Sequence, residues 1–214
     1  MIARPPSASP ASSPLRDHFE RLFAESEDPW RFRSSWYEAR KRALTLACLP
    51  AASYATAYEP GCANGELSAA LAARCSRLLV SDIASGAVRL ARRRLASFPH
   101  VEVRQSALPD QWPDESFDLI VISELGYYLE AASLDQLAAK VRGSLNDGGT
   151  VLACHWRRPI DGCALTGDEV NQRLGKALGM ARLTEVVEAD LRIDVWCAAT
   201  QSVGQHEGLV SIAR

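Results

Sequence analysis

From Tyr54 onward the sequence alternates short apolar runs with helical stretches, and this alternation limits the possible folds more than any other feature. Apolar runs predict buried strands at residues 54–59, 78–81, 101–103, 117–123 and 150–155, with helices at about 65–74, 85–96, 134–145 and 166–178. The run 117–123 is apolar on both faces, as expected of a central parallel strand. We therefore predict an α/β fold with a doubly wound, mostly parallel sheet and helices on both faces.

Both ends of the chain add elements to this sheet. Residues 15–49 have helical spacing, interrupted at Asp28-Pro29-Trp30, and Pro50 ends the helical block. The β-rich runs 183–189 and 191–198 are separated only by Asp190, which is too short a gap for a crossover helix. We therefore predict an antiparallel C-terminal hairpin, which brings the sheet to seven strands.

The length of 214 residues suits one domain. Residues 1–14 are rich in proline, serine and alanine and predict a disordered tail. Residues 15–198 form the predicted domain, with residues 15–49 as a helical lid, and residues 199–214 have weak structure signals that predict a loose C-terminal tail.

Composition narrows the classes of function. A formal net charge of -2 gives no electrostatic case for nucleic acid or an anionic membrane as a partner, and no apolar run is long enough to span a bilayer. The six cysteines form no CxxC pair and have no zinc-finger spacing. We therefore expect reduced thiols in a cytoplasmic protein and no metal site. The sequence does not indicate an oligomeric state.

In an open α/β sheet, ligands bind beyond the carboxyl ends of the strands. The first predicted strand is followed there by the turn Glu59-Pro60-Gly61-Cys62-Ala63-Asn64-Gly65, whose glycines permit close approach of a ligand. A dinucleotide fingerprint would have a glycine in place of Glu66, where a carboxylate opposes a pyrophosphate. An NAD-dependent oxidoreductase is therefore disfavoured.

The second predicted strand is followed by Asp82 and Ile83. A carboxylate at the position of Asp82 can accept hydrogen bonds from both hydroxyls of a ribose. The alternative is that Asp82 caps the next helix, because aspartate is a favoured N-cap residue.

The turn at residues 59–65 resembles motif I of the class I methyltransferases, and other motifs resemble one family among them, the NodS-like methyltransferases. The resemblance runs from about residue 19 to residue 197. It rests on Glu59-Pro60-Gly61-Cys62 and on the motifs Asp28-Pro29-Trp30-Arg31-Phe32, Ser35-Trp36-Tyr37-Glu38, Ser123-Glu124 with Tyr127-Tyr128-Leu129, His155-Trp156-Arg157 and Leu165-Thr166-Gly167-Asp168.

The resemblance implies a Rossmann-like class I methyltransferase fold with S-adenosylmethionine as the cofactor. The turn would lie against the methionine part of the cofactor, Asp82 against its ribose, and the residues after the third strand against its adenine. Ser106 stands where related enzymes often have an acidic residue. The implied cofactor-binding residues are Trp30, Tyr37, Glu59, Gly61, Gly65, Asp82, Ile83, Ser106, Ala107, Leu108 and Ser123.

The founding members of the NodS-like family N-methylate the free amine of a deacetylated chitooligosaccharide in rhizobial nodulation signalling. The resemblance thus implies a free amine of an amino sugar or chitooligosaccharide as the acceptor. Glu124 or His155 would orient this amine or remove its proton. For His155 the alternative is a hydrogen-bonded histidine at a strand end. Two other functions stay open: methyl transfer to another small molecule, and a non-catalytic cofactor-binding module.

Overall fold

The computed structural model describes residues 13–198 and 202–210 of the chain. These residues form a seven-stranded sheet, seven helices and a 3₁₀ turn at Gly126–Tyr128. In chain order the helices and strands are α1 (Pro14–Glu25), α2 (Trp36–Ala47), β1 (Tyr54–Pro60), α3 (Glu66–Ala72), β2 (Cys75–Asp82), α4 (Ser85–Arg94), β3 (Val101–Gln105), β4 (Phe117–Ser123), α5 (Ala131–Gly143), β5 (Leu145–Trp156), α6 (Gly167–Leu178), β6 (Ala181–Val187), β7 (Leu191–Cys197) and α7 (Val203–His206).

The strand order across the sheet is β3-β2-β1-β4-β5-β7-β6. β1 pairs in parallel with both β2 and β4, so the order reverses between β1 and β4, and β4 pairs in parallel with β5. β7 runs antiparallel to both β5 and β6. This arrangement confirms the predicted doubly wound sheet and its C-terminal hairpin.

The central strand β4 explains how the sheet is covered on both faces. Leu119 and Val121 pack into one apolar cluster with residues of α3, whereas Ile120 and Ile122 pack into another with residues of α5 and α6. All four side chains are fully buried. Burial of large aliphatic side chains contributes roughly 1.5–3 kcal/mol each, so this strand anchors both layers of the fold.

Four strands, β1, β2, β3 and β5, are longer than the apolar runs predicted. β2 begins at Cys75 and β5 at Leu145, because parallel pairing with a neighbouring strand continues beyond the buried residues. The hairpin turn spans residues 188–190 rather than Asp190 alone, since β6 ends at Val187. Apolar periodicity therefore located all seven strands and underestimated the length of four of them.

The ends of the domain also differ from the prediction. Ser13 caps α1 by accepting a hydrogen bond from the Arg16 backbone N–H at 3.2 Å, and Pro14 begins the helix. The rest of the predicted tail, residues 1–12, lies outside the described residues. Within the predicted C-terminal tail, Ser202 caps the one-turn helix α7. Residues 199–201 and 211–214 are also outside the described part.

In the part of the chain that the structure describes, no helix has the length and apolar character needed to cross a membrane. Its side chains also form no group of three or more histidine, cysteine, aspartate or glutamate residues suited to a metal ion.

Candidate functional site

The main cavity, of about 410 Å³, lies beyond the carboxyl ends of β1, β2 and β4 and beneath α1 and α2. This volume falls within the usual range for a small-molecule site. A smaller cavity of about 50 Å³ adjoins it. The residues that line both cavities are Phe32, Glu38, Lys41, Gly61, Ala63 and Glu124.

The two glycines of the turn after β1 have different roles. Gly61 lines the main cavity and has a φ of +75°, a backbone conformation that favours glycine. Gly65 has a φ of +83° and lines neither described cavity; a Cβ atom there would lie 3.2 Å from the Cα of Ala91. Gly65 thus permits close packing of α3 against α4, and the structure does not place it among the residues facing the cavity.

Asp82, at the end of β2, lines the main cavity and fixes the neighbouring loops. Its carboxylate accepts the Ala63 N–H at 2.9 Å through Oδ2 and the Ala84 N–H at 2.9 Å through Oδ1. Burial raises the pKa of Asp82 to about 6, because desolvation outweighs the backbone hydrogen bonds. Each oxygen keeps capacity for a further donor, since a carboxylate accepts about four hydrogen bonds.

Glu59 lines the smaller cavity and is only 2% exposed. Its Oε2 atom has no hydrogen-bond partner among the described residues. Burial, with a contribution from the nearby Asp82 charge, raises the pKa of Glu59 to about 8, although the neighbouring Ser68 hydroxyl, which makes no hydrogen bond of normal geometry with it, lowers the pKa in part. A buried carboxyl group without a partner is costly, so this position favours a ligand that brings a donor or a positive charge. Ser123 lines the same small cavity.

The side chains after β2 and β3 alternate between facing the main cavity and facing away. Ile83, Ser106 and Leu108 line it, whereas Ala107 does not. The Ala107 backbone N–H instead donates to the Gln111 side chain at 2.8 Å. A cofactor contact of Ala107, which the sequence implied, is therefore not available through its N–H in this arrangement.

Helix α1 covers the cavity with aromatic side chains. Phe19 packs edge-on against Tyr128 with ring centroids 4.9 Å apart, and Phe23 packs against Trp30 at 5.7 Å. Trp30 was predicted as a site residue, whereas Phe19 and Phe23 were predicted only as part of the helical segment 15–49. Their position follows from the docking of α1, which local spacing does not reveal.

Two carboxylates attach this cover to the domain. Glu20 of α1 accepts hydrogen bonds at the start of α4 from the Ser85 N–H at 2.7 Å and the Ser85 hydroxyl at 3.0 Å. Asp28 accepts the Phe32 N–H at 2.8 Å and the Asn64 side-chain amide at 3.0 Å. The loop before α2 is thus joined directly to the turn after β1.

A cluster of charged side chains lies at one end of the cavity. The Lys41 Nζ is 2.9 Å from Glu124 Oε1 and 3.0 Å from the Glu38 carboxylate. Tyr127 donates its hydroxyl to Glu124 Oε2, and the Trp156 backbone N–H donates to the same oxygen at 3.2 Å. Burial opposes the charge on Glu124, but Lys41 and the other donors outweigh it and hold the pKa of Glu124 below its ordinary value. Glu124 is therefore ionised at neutral pH.

Tyr37 lines the cavity and packs edge-on against Trp156 with ring centroids 5.4 Å apart. The structure therefore brings Tyr37, Trp30, Gly61, Asp82 and Glu124 to one cavity, as the sequence predicted. It adds Glu38 and Lys41, which the sequence analysis did not single out as site residues.

His155 does not belong to this site. It is fully buried and lines neither described cavity. Its Nε2 accepts the Gly126 N–H at 3.2 Å, so its Nδ1 carries the proton and donates to Asn171 Oδ1 at 2.7 Å. Asn171 in turn donates to Asp194 at 2.7 Å. Both ring nitrogens are engaged, so the structure supports the alternative of a hydrogen-bonded histidine at a strand end and does not bring His155 to the cavity with Glu124.

Comparison with known proteins gives three results. The model of the family Nodulation protein S (NodS) matches residues 14–213. Nodulation protein S of Rhizobium tropici is 33% identical over 137 residues, which are 62% of this chain and 58% of that protein. Nodulation protein S of Bradyrhizobium diazoefficiens is 31% identical over 154 residues, or 72% of this chain and 69% of that protein. The aligned part of the chain thus spans about half to two thirds of these curated relatives.

Two solved structures are similar as well. A protein of Pseudomonas syringae that is named only provisionally as a methyltransferase is 50% identical, with a TM-score of 0.69, and the match covers 76% of this chain and 99% of that one. The N-methyltransferase NodS of Bradyrhizobium japonicum WM9, in complex with S-adenosyl-L-homocysteine, is 24% identical, with a TM-score of 0.77 and coverage of 86% and 97%.

Proposed function

The chain belongs to the NodS family, and from this premise we propose that it is an S-adenosylmethionine-dependent methyltransferase acting on a free amine of an amino sugar or chitooligosaccharide. The fold is that of class I methyltransferases. The name N-methyltransferase and the bound S-adenosyl-L-homocysteine of the Bradyrhizobium japonicum relative support both the reaction and the cofactor. A cytoplasmic location stays a prediction.

One observation carries the proposal: a single cavity is lined by Gly61 and Asp82 and by the ionised Glu124. The first pair suits a nucleoside joined to an amino acid, and the carboxylate suits a nitrogen acceptor. The unpartnered Oε2 of Glu59, next to Gly61, fits the amino group at the methionine end of the cofactor. The residues present therefore fit S-adenosylmethionine.

The proposed contacts with the cofactor follow the cavity. Asp82 would accept the ribose hydroxyls, while Ile83, Ser106 and Leu108 would contact the adenine. Trp30 and Tyr37 would close the cavity over the cofactor. Glu59 and Ser123 would face its methionine end from the smaller cavity. Gly65 and Ala107 would support the site only by shaping its turns.

The cofactor supplies a methyl carbon already activated by its sulfonium. The protein therefore has to align the acceptor nitrogen, and alignment alone can lower a barrier by up to ~7–11 kcal/mol. Glu124 is suited to this because three donors fix it: Lys41, the Tyr127 hydroxyl and the Trp156 N–H. An ionised carboxylate in this position accepts an N–H of the acceptor and stabilises the positive charge that develops on its nitrogen.

The test offers isotope-labelled S-adenosylmethionine with two chitooligosaccharides, one with a free terminal amine and one fully N-acetylated. The amide nitrogen of the acetylated sugar has its lone pair delocalised into the carbonyl, so label should enter only the free amine. Transfer to neither sugar, with transfer to another small molecule, would reject the sugar acceptor and leave a methyltransferase. No transfer to any acceptor by protein that binds S-adenosylmethionine would favour the non-catalytic function.

The role of Glu124 has its own variant. Glu124→Gln should lower the transfer rate at least tenfold and leave the affinity for S-adenosylhomocysteine within about threefold of the unchanged protein, because the lost charge acts on the acceptor. Glu25→Gln, an exposed position at the end of α1, is the matched control. Equal rates in both variants would remove Glu124 from the mechanism.

A further inference from the structure

The charged cluster of Lys41, Glu38 and Glu124 lines both the main cavity and the smaller one. The side chains of Lys41, Glu38 and Glu124 are 7%, 10% and 18% exposed. Lys41 lies 2.9 Å from Glu124 and 3.0 Å from Glu38, and its ammonium is 5.6 Å from the centroid of the Tyr37 ring. Two carboxylates and an aromatic ring therefore enclose one buried cation.

The charges of this cluster do not cancel. Two carboxylates and one ammonium leave a single negative charge, provided that all three groups are ionised. Lys41 is the one basic side chain among the described residues that line the main cavity. Arg42 lines the adjoining smaller cavity and lowers the pKa of Glu38 in part, but among the described residues it donates to the Phe32 carbonyl oxygen and to neither carboxylate.

Glu124 and Glu38 differ in how firmly they are held. Glu124 receives hydrogen bonds from three separate elements: Lys41 on α2, Tyr127 on the 3₁₀ turn and Trp156 on β5. Its backbone also has a positive φ of 54°, unusual for a residue other than glycine. Among the described residues, Glu38 has only Lys41 as a hydrogen-bond partner. Glu38 is thus the carboxylate with most capacity left for a ligand.

We propose that Lys41 is a positioning residue that fixes the Glu124 carboxylate toward the acceptor, and that Glu38 is the second carboxylate of an acceptor subsite selective for cationic amines. The inference rests on the proposed function and extends it to the charge of the acceptor and to two further residues. A carboxylate or phosphate acceptor would meet the uncompensated negative charge in a partly dry cavity, where like charges repel strongly.

The electrostatics of the cluster agree with this division of roles. Burial raises the pKa of Glu38, which the charge of Lys41 offsets only in part. Lys41 itself keeps its charge: burial lowers its pKa, but Glu124 and the other neighbouring groups outweigh burial and raise it above the ordinary value. The groups around Glu124 that titrate or carry charge are Lys41, Glu38, Tyr37, Tyr127, Tyr128, Cys154 and His155.

The different pKa shifts also indicate which carboxylate accepts a proton from the bound ammonium. A bound ammonium has to lose one proton before its nitrogen can attack, and the N–H electron pair then stays on nitrogen. The Glu38 carboxylate, with its raised pKa, is the group suited to take that proton and become a neutral carboxylic acid. The lone pair then forms the new C–N bond as the methyl–sulfur bond breaks toward sulfur. The product is a secondary ammonium, whose charge pairs with Glu124.

The first experiment measures the ionisation of Glu124 without any acceptor or turnover. The carboxyl ¹³C signals of glutamate-labelled protein are titrated by NMR, and Glu124 is assigned by its loss in Glu124→Gln. Lys41→Met should move the Glu124 titration to higher pH by at least one unit, because a cation that stabilises the carboxylate is removed. Lys41→Arg keeps the positive charge, so the pKa of Glu124 should stay low in this variant. Lys140→Met, at an exposed position on α5, is the matched control.

The second experiment measures acceptor binding by calorimetry in protein saturated with S-adenosylhomocysteine. A glucosamine oligomer should bind at least tenfold more tightly than its N-acetylated form or a uronic acid oligomer, and Glu38→Gln should remove most of this preference. Preferred binding of the uronic acid oligomer would overturn the inference, as would an unchanged Glu124 titration in Lys41→Met. A tenfold loss of S-adenosylhomocysteine affinity in Lys41→Met, with the titration unchanged, would make Lys41 a cofactor ligand instead.

Failure of the proposed function gives a different pattern. If no amino sugar binds or is methylated while the Glu124 titration moves in Lys41→Met, the proposed acceptor and the amine selectivity are rejected. The positioning role of Lys41 then stands alone. If the titration does not move while amino sugars are methylated, the proposed function stands and the positioning role of Lys41 is rejected.

Discussion

At the scale of single residues, the site depends on carboxyl groups whose surroundings shift their pKa values in opposite directions. Burial raises the pKa of Glu59 to about 8, whereas Lys41 and the other donors around Glu124 overcome burial and hold the pKa of that group below its ordinary value. Identical side chains thus serve different purposes. Glu59 is largely protonated at neutral pH without a ligand, and Glu124 is ionised.

The raised pKa of Glu59 predicts how stability depends on pH. A buried acid with a raised pKa holds its proton more tightly in the folded state, so stability falls as pH rises from about 4.5 to about 8. Each unit of pKa shift corresponds to about 1.4 kcal/mol. Glu59→Gln removes this ionisation. The free energy of unfolding is measured for both proteins by urea titration without ligand. The variant should be more stable than the unchanged protein by a larger margin at pH 8.5 than at pH 5, and the two margins should differ by roughly 4 kcal/mol at most. An equal difference at both pH values would contradict the burial argument.

The buried chain from His155 through Asn171 to Asp194 predicts a structural role for the histidine. His155→Ala leaves the Gly126 N–H and the Asn171 Oδ1 atom without a partner and opens a cavity, so it should lower the free energy of unfolding by about 2–4 kcal/mol. Chemical denaturation measures this directly. If His155→Ala kept its stability and its cofactor affinity but transferred methyl groups a hundredfold more slowly, the result would support a catalytic role for His155.

At the scale of elements, α1 and the loop before α2 form a cover that depends on a few contacts. Phe19 and Phe23 face the cavity, while Glu20 bonds to the start of α4. A Cβ atom on Gly86 would lie 2.8 Å from the Phe23 Cβ, so glycine at this position permits α1 to approach α4 closely. The cover is part of the domain surface, yet its aromatic side chains would also contact a ligand in the cavity.

This arrangement predicts that a ligand slows the opening of the cover. Hydrogen exchange of backbone amides in Pro14–Glu25 and in residues 26–35 should slow at least several-fold when S-adenosylhomocysteine is added, because the ligand adds apolar contacts to Phe19 and Trp30. The central strand β4 is the internal reference, since its exchange follows global unfolding. Equal exchange in the cover with and without ligand would contradict the prediction that the cover acts as a lid.

At the scale of the whole molecule, the order of strands and helices was predictable because apolar periodicity and short connections limit an α/β chain to few topologies. The location of the site was predictable because ligands bind beyond the carboxyl ends of the strands in such a sheet, and Gly61, Asp82 and Glu124 do line one cavity there. Glu38 and Lys41 were not predicted as site residues. Their role depends on how α2 docks over the sheet, and a helix's own spacing does not specify that position.

The position of His155 away from the cavity has an equally local cause. Successive side chains of a strand point to opposite faces, so at the end of β5 Trp156 lines the cavity while His155 packs toward Asn171 of α6. A strand end can thus be located from sequence more easily than the face that each of its residues takes.

The central claim is that this cavity binds the cofactor through Asp82, and calorimetry with S-adenosylhomocysteine tests it most directly. Hydrogen bonds to a charged group contribute ~1.5–3 kcal/mol each, so losing two in Asp82→Ala should weaken binding by roughly a hundredfold or more. Circular dichroism must confirm the fold, because Asp82 also bonds to Ala63 and Ala84. Asp147→Ala, at an exposed position, is the control. Tight binding by the unchanged protein and the control, with a hundredfold loss in folded Asp82→Ala, is the predicted result. Unchanged affinity in Asp82→Ala, or no binding by the unchanged protein, would contradict the account.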